Sequence, residues 1–491
     1  MDDNPVLAAV AIDEEGCSSD PTISRASYID DRDRLMPAEA TALRSLNSDS
    51  LSTVGIAGLI NARPLSSFQK EIMVLIGGVV VMDGFDVQAI GFVAPALIQD
   101  WHIGPGALGP VFGAGLLGML FGAMLLSILA DRVGRRPVLV GSTAFFSLCM
   151  LGTAAVESLQ QLALLRFLTG LGIGGVMANA VALASEYSPQ RRRASLLMWI
   201  SCGFTGGAIA GGLISAALIP WAGWRSVFIV GGILPLAIAV VMYRRLPESL
   251  LFLSLQKKDH DKLRELLRRI VPDVDPGRDL DLTYPEEVRG RGSFTKLLSD
   301  GRALMTLLLW LVSFANLLNL FFLANWLPLL STRMGFSSST AVLMGTTLQL
   351  GGFVGAIFMG PLIDRLGYYR VLVPVFLIAG LAVAGIGQPG LPLALLYLVI
   401  FVAGICIVGA QPALNALAST LYPTEIRATG VGWSLGVGRA GAIVGPVVAA
   451  QLVALNWSSE SLFLTASIPA LFSSVVVVGL AVVVRTKSLL A

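Results

Sequence analysis

The chain has 491 residues, of which 55% are hydrophobic and 13% charged, where a soluble globular chain carries about 25% charged residues. That composition excludes a water-soluble globular protein and points to a polytopic membrane protein. A formal net charge of +2 is too small to suggest a nucleic-acid partner, and the four cysteines, Cys17, Cys149, Cys202 and Cys406, form no CxxC or Cys/His grouping for a metal or redox centre, so no cofactor is expected.

Residues 1–66 read as a polar cytoplasmic tail with eleven Asp/Glu against five Arg. It is expected to be disordered, apart from a helical stretch around PAEATALRSL. The opening MDDNPVLAAVAIDEEG is acidic and lacks the basic and long apolar regions of a cleaved signal peptide, so the first span is expected to do the targeting. A bilayer core about 30 Å thick needs roughly 20 apolar residues per helix. Such runs occur at 71–98, 107–130, 138–156, 160–185, 195–219 and 226–246, and again at 303–330, 339–362, 371–388, 392–420, 429–455 and 461–484. The segment at 248–302 is too polar to cross lipid and divides the chain into an amino-terminal bundle, 67–247, and a carboxy-terminal bundle, 303–485, with a short tail at 486–491. With the amino terminus in the cytoplasm, Arg225 and Arg333 fall in outer loops, Arg166 and Arg439 fall within spans, and every other Lys or Arg lies on the cytoplasmic side. The positive-inside rule therefore puts both termini in the cytoplasm.

In the first span, VVVMDGFDVQAIGF (79–92) carries Asp83 and Asp86 three residues apart on one side of a helix, about 18 and 22 Å along it from Glu71 at 1.5 Å per residue. A carboxylate at that depth costs about 2.5 to 3.5 kcal/mol, so such residues face a cavity or a partner and mark ion or substrate pathways. Two acids on one face repel when both are ionised and burial favours the neutral form, which suits a reversible proton carrier; a structural pair bonded to a neighbouring helix is the plainer alternative. Arg439 lies about 16 Å into the eleventh span by the same rise. Its planar guanidinium can hold a carboxylate through two parallel hydrogen bonds, which makes it a candidate for a substrate's acid group, with an ion pair to Asp83 or Asp86 as the structural alternative. Arg166, in RFLTGLGIGG of the fourth span, is the second cation within the hydrocarbon.

Asn179, Asn319, Asn325, Gln349, Gln411 and Asn415 are uncharged polar groups inside spans, expected to line a cavity because lipid would leave their amides unsatisfied. Phe85, Phe322 and Trp326 are candidates to stack on a ring, against the plainer reading that each is core or lipid-facing. Glycine stripes at 170–175 and 203–212 read as packing surfaces; GLGIGG is no nucleotide loop, since no strand precedes it.

ALASEYSPQRRRASLLMW (182–199) and ALASTLYPTEIRATGVGW (416–433) share eight of eighteen positions at an offset of 234, and LADRVG (129–134) mirrors LIDRLG (362–367) at an offset of 233. Two motif pairs with nearly one offset indicate duplicated six-helix halves. The expected fold is therefore all-α, with twelve transmembrane helices in two pseudo-symmetric bundles.

With LADRVGRRP, GPLIDRLGYYR and RFLTGLGIGG, the chain resembles the major facilitator superfamily over about residues 56–485. MDGFDVQAIGFVAPAL, FLANWLPLL and YPTEIRATGVGWSLGVGRAGAIVGP are similar to the aromatic acid:proton symporters within it. The resemblance implies proton-coupled uptake of an aromatic carboxylate by a multi-pass protein of the cytoplasmic (inner) membrane, with Asp83 and Asp86 in proton coupling. Arg439, Arg166, Asn179, Trp326, Asn325, Asn319, Gln349, Gln411 and Phe85 are the candidate substrate contacts. It further implies that Asp131, Arg132, Gly134, Arg135, Arg136 and Glu186, with Asp364, Arg365 and Gly367, latch the outward-facing state. Ser127, Tyr368 and Tyr369 depart from the family pattern, so the second loop is expected to latch less electrostatically. The fifth span lacks the Gly-Pro pair of antiporters, which favours symport. The protein is expected to act as a monomer. Another organic-anion or drug carrier and a non-transporting receptor for aromatic acids are the competing readings; an enzyme is disfavoured because no nucleophile-base set occurs and both histidines, His102 and His260, lie in loops.

Overall fold

A computed structural model describes residues 56–61, 64–255, 260–270, 294–299, 301–423 and 425–490. The tail before residue 56, with the stretch at 37–46 read as helical, lies outside the described residues, as does 271–293 of the central segment. Twelve described helices are long and apolar enough to cross a bilayer. In chain order the spans are Ser67–Trp101, Pro105–Val133, Arg135–Thr153, Leu159–Tyr187, Gln190–Ala222 and Arg225–Leu255, then Ala303–Arg333, Ser338–Leu366, Tyr368–Ile386, Leu393–Leu421, Arg427–Ala454 and Ser459–Thr486. The protein is thus the expected all-α membrane protein, each bundle contributing six spans.

Several helices run past the apolar windows because polar ends cap them. Ser66 and Gln69 form a reciprocal capping box (Gln69 N to Ser66 Oγ 3.2 Å, Ser66 N to Gln69 Oε1 2.8 Å) that starts the first span at Ser67, four residues before its apolar run. Residues 56–61, assigned to the tail from composition, form a short helix with Ile56 and Ile60 buried, and Asn61 accepts a bond from Gln190 N at 2.6 Å. The central segment also carries helices. In His260–Ile270, Leu263, Leu267 and Ile270 recur at helical spacing and are buried, and Arg269 lies over the Phe68 ring at 5.1 Å. Phe294–Leu298 sets Phe294 against Trp310 and Trp433 of the carboxy-terminal bundle at centroid distances of 6.1 and 4.6 Å.

Small residues set the packing within each bundle, since lipid gives helices no hydrophobic reason to associate and close backbone approach must supply the attraction. A Cβ at Gly84 would overlap Phe204 of the fifth span and one at Gly207 would overlap Val81 of the first, while in the second half Gly441 lies against Phe314 in the same way. The fourth and tenth spans are each interrupted, at Gly175 and at Val408–Gly409, positions related by the repeat offset.

Among the described residues, glycine contacts between the two bundles fall toward the end away from the DR-G loops. Gly91 abuts the Ala324 carbonyl, Gly106 and Gly109 abut Ala450, Gly113 faces Val447, and Gly345 faces Phe92 and Pro328. Phe112 meets Trp326 edge to face at 5.5 Å, and the Trp326 indole donates to the Pro446 carbonyl at 3.1 Å, so this end is closed by aromatic and backbone contact. At the other end, which carries the DR-G loops, a Cβ at Gly77, Gly206, Gly432 or Gly436 would meet nothing within 4 Å. Gly207→Val should drive the first and fifth spans apart and lower the thermal unfolding midpoint in detergent, at a cost of about 1 to 3 kcal/mol. Gly206→Ala, with open space around it, should leave the midpoint unchanged.

Candidate functional site

Because Gly84 and Val81 turn one face of the first span onto the fifth, Asp83 and Asp86 are presented on another, and both carboxylates are buried. Their surroundings differ. Asp86 Oδ1 accepts a bond from Arg166 Nη2 at 2.9 Å, with both side chains 4% exposed. Arg166 also donates to Thr169 Oγ1 at 3.3 Å and stands 5.2 Å from the Phe228 ring centroid. That pair lines a cavity between the bundles with Phe112, Met119, Phe321 and Asn325. Asp83 has no such partner: its buried Oδ1 receives no hydrogen bond.

Arg439 is half-buried in the eleventh span and, among the described residues, makes no hydrogen bond or ion pair. The ion pair to Asp86 weighed for Arg439 is made by Arg166, which also lines the cavity and keeps a buried Nε without a partner. Among the described residues of the spans, Gln88 Oε1, Arg166 Nε, Ser215 Oγ, Trp310 Nε1 and Asn316 Oδ1 are, like Asp83 Oδ1, buried without a hydrogen-bond partner.

The remaining candidates divide. Asn325 lines the cavity, its amide donating to the Phe321 carbonyl at 2.9 Å. Asn179 donates to the Gly175 carbonyl at 2.8 Å and so serves the interruption of the fourth span. Gln349 is buried in the eighth span. Asn319 faces the twelfth span, where its amide, oriented to suit, donates to Ala466 O at 2.7 Å and accepts from Ala470 N at 3.1 Å. The three aromatic candidates pack inside the protein. Phe85 is 1% exposed and packs among Gly211, Gly231 and Met150, Phe322 meets Phe463 edge to face, and Trp326 is locked in the seal between the bundles. Large rings fill the gaps left by facing glycines, a use the local sequence around each ring does not show.

Asn316 was not singled out from the sequence. It is 2% exposed and donates through Nδ2 to the Ile407 carbonyl (3.3 Å) and to Gln411 Oε1 (2.8 Å), and Gln411 Nε2 donates to Asn415 Oδ1 at 3.1 Å. A signal for it existed. Gly207 packs on Val81 as Gly441 packs on Phe314, and the offset of 233 between Val81 and Phe314 carries Asp83 onto Asn316 and Asp86 onto Asn319. The acid pair of one bundle is an amide pair in the other.

Among the loop residues, Asp131, Arg132, Asp364 and Arg365 are exposed. Gly134 (φ 103°) turns the chain so that the backbone N–H groups of Arg135 and Arg136 donate to Glu248 Oε1 at 2.9 and 3.1 Å. The Arg135 guanidinium pairs with Glu186, which also accepts from Ser249 Oγ at 2.7 Å and Leu251 N at 3.2 Å. This network lies within the amino-terminal bundle. At the repeat offset, Thr420 stands where Glu186 stands, and Gly367 (φ 84°) faces open space, so the second loop lacks an equivalent acid. Arg166→Leu should leave Asp86 buried and unpaired, destabilising the protein by about 3 to 5 kcal/mol. Adding Asp86→Asn should return most of that stability, read as the unfolding midpoint of purified protein.

The family model for the Major Facilitator Superfamily matches residues 76–386 and 309–489. The chain is 41% identical over 436 residues to the 4-hydroxybenzoate transporter PcaK of Pseudomonas aeruginosa, covering 88% of this chain and 97% of that one. It is 37% identical over 426 residues to the gallate transporter of Pseudomonas putida (87% and 95% covered), and 31% over 431 residues to the benzoate transport protein of Acinetobacter baylyi (86% and 92%). Among solved structures, the xylose transporter XylE of Escherichia coli in a partially occluded inward-open conformation matches with a TM-score of 0.66 at 15% identity, covering 84% of this chain and 97% of that one. A bacterial homologue of the lysosomal transporter Spinster, inward-facing, matches with a TM-score of 0.62 at 16% identity (86% and 97% covered).

Proposed function

This chain belongs to the major facilitator superfamily, and from that premise we propose that it is a secondary transporter that takes an aromatic carboxylate inward together with protons. The observation that carries this reading is the presence inside the spans of a half-buried Arg439 that makes no hydrogen bond or ion pair among the described residues, together with a buried Asp83 whose Oδ1 receives no hydrogen bond. A guanidinium with free donors is a receptor for a carboxylate, and a buried acid without a donor is a place to put a proton. The relatives named as transporters of 4-hydroxybenzoate, gallate and benzoate supply the substrate class.

Energetics explain the need for coupling. An aromatic acid is ionised near neutral pH, and carrying one negative charge inward against an inside-negative potential costs about 2.3 kcal/mol per 100 mV. Asp83 takes the proton that offsets this charge. Asp86, held by Arg166, keeps the first span registered against the fourth and lines the cavity beside the bound ring. Arg439 receives the carboxylate, and Asn325, Gln349 and Gln411 supply polar edges.

We further read the basic, open end as cytoplasmic, with both termini there, the protein a monomer in the inner membrane, and the conformation as inward-facing. Uptake then alternates this state with one in which the closed end parts and the open end seals. The face of the second span that carries Gly106, Gly109 and Gly113 continues through Leu117, Met124 and Ile128, all exposed, towards the exposed Asp131. On the eleventh span, the face that carries Ala450 and Val447 continues through Gly436 and Gly432. Rigid-body rocking would bring these two continuations together, and the DR-G loops would latch them.

Uptake of radiolabelled 4-hydroxybenzoate, benzoate, protocatechuate and gentisate into proteoliposomes under an imposed pH gradient tests the reading. Concentrative uptake that collapses with a protonophore is expected. Asp83→Asn should abolish accumulation driven by the gradient, and Arg439→Gln should raise KM at least tenfold, the loss of about 1.4 kcal/mol of carboxylate binding. Gradient-independent transport, or full accumulation by Asp83→Asn, would overturn proton coupling.

A further inference from the structure

Asn316 presents a buried carbonyl oxygen, Oδ1, that has no hydrogen-bond partner. Its orientation is determined: the Ile407 carbonyl at 3.3 Å can only accept, so the Asn316 nitrogen faces it and the oxygen points elsewhere. The nitrogen's second bond, to Gln411 Oε1 at 2.8 Å, begins a chain that passes through Gln411 Nε2 to Asn415 Oδ1 at 3.1 Å. Gln411 and Asn415 are half-buried, while Asn316 is 2% exposed. A buried acceptor without a donor forfeits the full cost of its desolvation. A fixed acceptor in that condition suits a donor that arrives from outside the protein.

The position fits such a role. Asn316 occupies in the seventh span the place that Asp83 occupies in the first, so the two orphan oxygens lie at equivalent points of the two bundles. Ser313 bonds Ser434 at 2.8 Å and Leu317 abuts Gly438, which puts Asn316 at the level of Arg439 on the neighbouring span.

We propose that Asn316, Gln411 and Asn415 form the subsite that reads a ring hydroxyl on the aromatic acid, with Asn316 Oδ1 accepting the phenolic proton while Arg439 holds the carboxylate. The inference rests on the reading of this chain as an aromatic-acid transporter and adds to it a preference for hydroxylated rings. An amide suits this role because it accepts a hydrogen bond without adding a negative charge beside an anionic substrate. A ring that lacks the hydroxyl leaves Oδ1 unpaired in the loaded state and is disfavoured for that reason.

The test compares 4-hydroxybenzoate with 4-methylbenzoate, which is close in shape and has no donor, by calorimetric binding to the purified full chain and by competition in proteoliposome uptake. The wild type should prefer the hydroxylated acid by about tenfold or more, and Asn316→Leu should remove most of that preference by weakening 4-hydroxybenzoate selectively. Gln411→Leu, which removes one of the two bonds that hold the Asn316 amide, should narrow the same ratio and serves if Asn316→Leu does not fold. Asn316→Thr, which keeps an acceptor, should restore part of it. An unchanged preference in Asn316→Leu and Gln411→Leu, or equal weakening of both acids, overturns the subsite and leaves the transport reading standing. Failure of the wild type to bind or take up either acid overturns the transport reading itself.

Discussion

Hydrocarbon solvates neither charges nor bare peptide groups, so every polar atom within the spans must find its partner inside the protein or face a cavity. Most of this molecule's intramembrane polar side chains meet that demand in visible ways. Serines and threonines such as Ser142, Thr143, Ser147 and Thr153 donate back to carbonyls four residues earlier in their own helix. Asn179 and Asn316 donate to carbonyls beside the interruptions of the fourth and tenth spans, Gly175 and Ile407. Asp86 and Arg166 pair with each other. Against that background described buried atoms without a partner stand out, among them Asp83 Oδ1, Gln88 Oε1, Arg166 Nε, Ser215 Oγ, Trp310 Nε1 and Asn316 Oδ1, alongside Arg439, which makes no hydrogen bond or ion pair among the described residues.

The duplicated frame carries different chemistry in its two halves. Glycine contacts between the first and fifth spans recur between the seventh and eleventh, so the backbones of the two halves are packed by the same rule. What differs is the chemistry placed on that common frame: acids at 83 and 86 against amides at 316 and 319, and Glu186 and Glu248 around the first DR-G loop against no equivalent acid around the second. The proposed proton site thus belongs to one half, while the proposed carboxylate and hydroxyl sites belong to the other. Substrate and proton can then influence each other only through the interface between the bundles.

The twelve spans and their duplication were legible in the sequence because long apolar runs and two motif pairs at one offset survive without any knowledge of packing. Asp83, Asp86 and Arg439 stood out in the sequence for a related reason: a charge inside such a run must find a partner or face a cavity. Partner choice was not legible. Asp86 and Arg166 are 80 residues apart, and nothing local distinguishes the acid that is paired from the acid that is not. Ring packing was not legible either, because a ring facing a glycine on a neighbouring helix and a ring facing a cavity have the same sequence signature; Phe85 meets Gly211 and Gly231, far along the chain. The short helix at 56–61 and the helices of the central segment were missed because polar composition outweighed a few apolar residues at helical spacing.

The ion pair between Asp86 and Arg166 carries an electrical consequence. Since those two charges cancel, the centre of the proposed carrier contributes one acid and one guanidinium to the transport cycle. A loaded complex of one anion and one proton then crosses with no more net charge than the empty carrier bears. Membrane voltage does no work on such a cycle, and the steady-state accumulation ratio follows the pH difference alone, about tenfold for each unit. Recruiting the voltage as well would require a second proton, and the acid nearest to hand is the one whose protonation means taking it from Arg166.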